Sequence, residues 1–169
     1  MKFDILMLSI TGFSIVTVIQ DLKSRKVSNQ IIIIGLLITI FELLYFNGFS
    51  GLRDGISGFI LIFISGYIFW KFSILGAGDV KVMSIIGLSI PGLYSLEFLF
   101  YAFVWGSLMG IIALVLDKSL IHESKIFNFH PVMTIKSPTV KNHKIPFTVA
   151  IFFGILTFWV LQGKGVHFL

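Results

Sequence analysis

GISGFILIFISGYIFWKFSILGAGDVKVMSIIGLSIPG, residues 55–92, joins two apolar segments through a short break. Its first part, roughly 55–72, is long enough to cross the ~30 Å of hydrocarbon in a bilayer. The second, roughly 78–92, is shorter; it opens on Gly78-Asp79 and closes on Pro91-Gly92, a pair that breaks helices and suits a tight turn. Only Lys71, Asp79 and Lys81 carry charge in the whole stretch. Two helices that cross a membrane and meet at a carboxylate are the pattern to follow outward from here.

Further apolar runs of spanning length occur at roughly 3–20, 30–46, 94–116 and 145–161. The composition agrees, with 56% of the 169 residues hydrophobic, 19 of them Phe, and only 12% charged. A soluble domain carries about 25% charged residues, and a globular core of this length cannot hide so much apolar surface. The expected fold is therefore all-α: a polytopic membrane bundle of about six transmembrane helices, forming one domain over 1–169. The N-terminal run leads into Asp21–Lys23 and not into a small-residue cleavage site, so it reads as a retained helix. The one long connection, about 117–144, is polar and holds Pro131 and Pro138.

Lys and Arg set the orientation. With the N-terminus outside, the inner loops hold Lys23, Arg25, Lys26, Lys71, Lys81, Lys118, Lys125, Lys136, Lys141 and Lys144, and the outer side keeps Lys2, Arg53 and Lys164. This bias places both termini outside, the 117–144 loop in the cytoplasm, and Asp21 and Asp79 at cytoplasmic helix ends. The net charge of +5 is explained by these loops, so nucleic acid is not an expected partner. The lipid bilayer is. Trp70, Trp105 and Trp159 are expected at interfaces, and Gly58, Gly66, Gly87, Gly106, Gly110 and Gly154 at close helix contacts. Gly106 and Gly110 form a small-xxx-small pair that leaves a homo-oligomer open.

A charge at membrane depth costs at least about 2.5–3.5 kcal/mol, so it is kept for a reason. Asp4, Asp54 and Glu97 lie near outer ends, Asp117 and Glu123 in the long loop, and Glu42 late in its span. Asp21 and Asp79 instead mark junctions between an apolar helix and a basic inner loop on one side of the membrane. Gly76 and Gly78 would give the backbone before Asp79 angles closed to other residues and let another chain approach. Two carboxylates brought together repel and can share a proton at neutral pH, a state suited to peptide hydrolysis. Ordinary juxtamembrane ion pairs, Asp21 with Lys23 or Arg25 and Asp79 with Lys81, are the plain alternative. Absence of cysteine excludes disulfides and thiolate chemistry. His122, His130, His143 and His167 lack metal-ligand spacing, so no metal or other cofactor is expected.

Three motifs now resemble those of the type IV prepilin peptidases. Asp21-Leu-Lys-Ser-Arg-Lys-Val-Ser-Asn29 is similar to their first-aspartate motif, Gly76-Ala77-Gly78-Asp79-Val80-Lys81 to their GxGD motif, and Ile145-Pro146-Phe147-Thr148-Val149-Ala150, leading to Gly154, to their last-helix motif. The resemblance implies an intramembrane aspartyl endopeptidase of the inner (cytoplasmic) membrane, its active site facing the cytoplasm. Its substrates would be prepilin-like precursors (pilins, pseudopilins or flagellin-like proteins), cut behind a short basic leader. Asp21 and Asp79 match the catalytic pair, with Gly76 and Gly78 supporting the site backbone and Lys81, Asn29 and Pro146 as residues that tune the site or touch substrate.

The chain looks like the short form, as in Tad/Flp pilus systems or archaeal preflagellin peptidases, for which no methyl transfer is expected. Thr148-Val149 stands where a small residue and Pro are common, which bears on the local shape of that helix. Presenilin-type peptidases fit less well, since Asp21 follows Gln20 where they have Tyr, and no Pro-Ala-Leu occurs. A non-enzymatic small transporter or a pilus or secretion assembly scaffold is the remaining class. It calls for inverted repeats or a midplane polar path, and the sequence displays neither.

Overall fold

The structure, a computed structural model, describes residues 2–116 and 146–165. The long loop at 117–144, its lysines, and all four histidines lie outside the described residues, as do both chain ends. Five helices fill the described part: α1 (Lys2–Ser24), α2 (Asn29–Lys71), α3 (Ala77–Ser89), α4 (Tyr94–Leu116) and α5 (Phe147–Gly163). No strand occurs among the described residues. Helices α1, α2 and α4 are long and apolar enough to cross a membrane, and α5 is a shorter apolar helix.

Helix α2 would measure about 65 Å if straight, twice the hydrocarbon thickness. It is broken at Gly48, whose φ of 66° and ψ of −158° lie outside the helical region. Beyond the break the chain returns alongside itself, so that Leu43 and Gly55 line one cavity with Leu6 and Leu88. Residues 47–54, which hydropathy alone would leave as a loop, are helical except at this glycine. Such a backbone is essentially glycine-only, and another residue there costs about 1–3 kcal/mol. Gly48→Ala is therefore expected to lower the melting temperature in detergent. An unchanged melting curve would show that the reversal does not depend on this residue.

Helix α3 is the centre of the bundle, with Val82 to Ile90 all buried. The returning arm of α2 lies against it through glycines. A Cβ on Gly58 would strike the carbonyl oxygens of Gly87 and Ile90, and one on Gly55 the carbonyl of Leu88. Gly66 seats Val80 in the same way, and Gly87 seats Ile62. Close backbone approach of this kind maximises dispersion contact, the main attraction left between helices in lipid. Met7 and Ile10 of α1, Phe98 and Ala102 of α4, and Ile151 and Ile155 of α5 complete the core. Large apolar side chains such as Ile34, Phe41, Phe63, Phe100 and Ile112 point outward.

Helices α4 and α5 pair tightly. Gly154 lies against Ala102, Gly106 makes room for the Phe147 ring, and the Trp105 indole N–H donates to Thr157 Oγ1 at 2.8 Å. Trp105 thus works inside the pair, stacked on Phe153. Gly106 is likewise used within the chain, while among the described residues nothing lies within 4 Å of where a Cβ on Gly110 would sit.

Candidate active site

One end of the bundle is built by a tight turn between α1 and α2. Arg25 takes a positive φ of 54°, the left-handed geometry that stops a helix, and its N–H returns to the Asp21 carbonyl at 2.7 Å. Ser24 Oγ donates to the carbonyls of Gln20 and Lys26, and the Gln20 side-chain oxygen accepts from the Ser28 N–H at 2.9 Å. Ser28 then caps α2 by accepting from the Ile31 N–H. Five short-range bonds thereby hold Asp21, in the last turn of α1, beside Asn29, the first residue of α2.

The same end receives α3. After α2 stops, Ser73 adopts a positive φ of 59° and Ile74 N–H bonds back to the Phe69 carbonyl at 3.0 Å. Leu75 is buried, and Gly76 precedes the first helical residue. Asp79, in the first turn of α3, turns its carboxylate back to accept from the Gly76 N–H at 3.3 Å. The first-turn position favours a negative group, because the helix dipole presents its positive end there.

The two glycines do not act through unusual backbone angles. Gly76 has φ −76° and ψ 147°, open to any residue, and Gly78 is helical. What they supply is space. A Cβ on Gly76 would lie 2.9 Å from Asp79 Oδ2, and one on Gly78 would meet nothing within 4 Å among the described residues.

Helix α5 brings the third element. Pro146 stands at its N-terminal boundary, and Thr148 Oγ1 donates to Asp21 Oδ2 at 2.8 Å. Asp21, Asp79, Gly76, Gly78, Lys81, Asn29 and Pro146 all line one open cavity of about 840 Å³, joined by Arg25 and Lys26. Asp21 reaches this cavity from α1 and Asp79 from α3. Lys81 Nζ donates to Asn29 Oδ1 at 3.1 Å, tying α3 to the start of α2 rather than closing an ion pair with its near neighbour Asp79. The opposite end of the bundle is formed by Asp54, Ser57 and the Pro91-Gly92 turn.

Every candidate site residue named from the sequence therefore lines one cavity. Thr148 was visible only as a departure from a motif, and its bond to Asp21, across 127 positions, has no local signal. Glu97 was set aside as peripheral, yet it is 4% exposed. A place near a helix end does not tell which face a side chain occupies.

A model of the type IV leader peptidase family matches residues 8–113, which include Asp21, Asn29 and Gly76–Lys81. The chain belongs to that family. Among curated relatives, a preflagellin peptidase of Methanococcus voltae is 39% identical over 77 residues, covering 43% of this chain and 33% of that protein. A preflagellin peptidase of Methanococcus maripaludis (strain C6 / ATCC BAA-1332) is 32% identical over 81 residues, covering 46% and 35%. The similarity thus spans about a third of the length of these relatives. No solved structure matches the chain. The family resemblance read from the first two motifs is borne out, and the third motif lies beyond the matched residues.

Proposed function

We propose that this chain is an intramembrane aspartyl endopeptidase that removes the basic leader from type IV prepilin-like or preflagellin-like precursors, with Asp21 and Asp79 as its acid–base pair. The observation that carries this is the convergence of two carboxylates, from α1 and α3, on one open cavity at the end of the bundle where Arg25, Lys26 and Lys81 gather. The two arms of α2 count as separate crossings, giving six in all. Positive-inside bias then puts the cavity at the cytoplasmic face of the cell membrane and both termini outside.

In the proposed reaction the pair holds one shared proton. The ionised carboxylate takes a proton from a water molecule as that water attacks the scissile carbonyl carbon, and the protonated carboxylate donates to the carbonyl oxygen. Collapse of the tetrahedral intermediate breaks the C–N bond and returns a proton to the leaving amine. Open space at Gly78 lets an extended backbone pass close to Asp79. The positive ends of α3 and α5 face the site where negative charge develops.

Incubating the purified protein in liposomes with a precursor that has a basic leader, a Gly and an apolar helix tests this function. One new N-terminus directly after that Gly is expected. Uncut precursor across several leader-bearing substrates, with protein shown to be folded, would remove the proposal.

The Lys81–Asn29 bond has a smaller consequence. Loss of one hydrogen bond of this kind is worth about 1 kcal/mol, or roughly fivefold in rate if it all reaches the transition state. Lys81→Met and Asn29→Ala are each expected to slow cleavage to that extent, and the double variant no further. Losses that multiply would show that the two residues act separately.

A further inference from the structure

We propose that Thr148 is a positioning residue for Asp21, holding one carboxylate oxygen so that the other does the chemistry. This rests on Asp21 being one half of the acid–base pair. Asp21 sits in the last turn of α1, and the residues directly after it, Leu22 to Lys26, are all exposed. A carboxylate on such a helix end has several staggered rotamers open to it. Thr148 is 1% exposed, and its hydroxyl donates to Asp21 Oδ2 at 2.8 Å.

The donor itself stands on a rigid support. Phe147 fills the space left by Gly106, Gly154 packs on Ala102, and Thr157 accepts from Trp105, so α5 is fixed along α4. β-Branching further restricts the Thr148 side chain. With Oδ2 held in this way, Oδ1 is the oxygen left for the water and for the proton shared with Asp79. A hydroxyl at position 148 thus couples α5 to the pair, which explains why a residue from the last helix belongs to a site carried by α1 and α3.

Thr148→Val keeps the shape and removes the donor, while Thr148→Ser keeps the donor and removes the methyl. For Thr148→Val we expect kcat to fall on the order of 10- to 100-fold with KM changed by less than about twofold, the signature of lost orientation. Thr148→Ser should recover to within about threefold of wild type, because it keeps the donor and loses only the methyl that helps to restrict it. If the valine variant does not insert, Thr148→Ala gives the same contrast. A Thr148→Val enzyme at wild-type rate, or a serine variant as slow as the valine one, would overturn the positioning role alone. A folded wild type that cuts no leader-bearing precursor would instead overturn the peptidase function, and the role with it.

Discussion

Asp21→Asn and Asp79→Asn are each expected to lower cleavage of a leader-bearing precursor by about 10³-fold or more, with insertion and melting temperature retained. Asparagine has the size of aspartate, and its carbonyl oxygen can still accept from the Gly76 N–H at position 79 or from the Thr148 hydroxyl at position 21. Geometry is therefore kept while the group that exchanges a proton is lost. Each carboxylate has its own step in the proposed reaction, so removing either one stops turnover. Single-turnover assays with excess enzyme, reading the released leader by mass spectrometry, give the needed range. Both variants must be compared with wild type at equal folded concentration.

Gly58→Val should have the largest effect on the fold. Any Cβ at this position meets the carbonyl oxygens of Gly87 and Ile90, which belong to the backbone and cannot rotate away. The returning arm of α2 and α3 must separate, at a cost of about 3 kcal/mol or more. Asp79 rides on α3, so cleavage fails together with folding. Gly110→Ala is the matched control, since no described residue lies within 4 Å of its added methyl, and its effect should stay within about 0.5 kcal/mol. Thermal melting followed by size-exclusion chromatography in detergent separates the two. A Gly58→Val protein that melts like wild type would show that the α2–α3 contact is looser than its glycines imply.

Much of the helical layout was legible because membrane helices are written in long apolar runs. Placing Asp21 and Asp79 at one end of the bundle needed only the order of those runs and the direction of each. Gly48 was not legible as a break within a continuous helix, since hydropathy drops over Asn47–Asp54 whether the chain loops or stays helical. Of the two reasons given for the glycines before Asp79, the one from backbone angles fails, since Gly76 lies in the extended region and Gly78 is helical. Their value lies in the missing side chain and not in rare backbone angles, and only coordinates show which applies. The Trp105–Thr157 bond was not legible either, because the two residues are 52 positions apart. The same distance problem hid Thr148.

The most direct test of the paired carboxylates is the single-turnover cleavage rate of the Asp21→Asn/Asp79→Asn double variant, measured beside both single variants and wild type. The expected result is that wild type cuts and that the double variant is no slower than either single one, because the two groups serve one reaction. A single variant that cuts at close to the wild-type rate would contradict it.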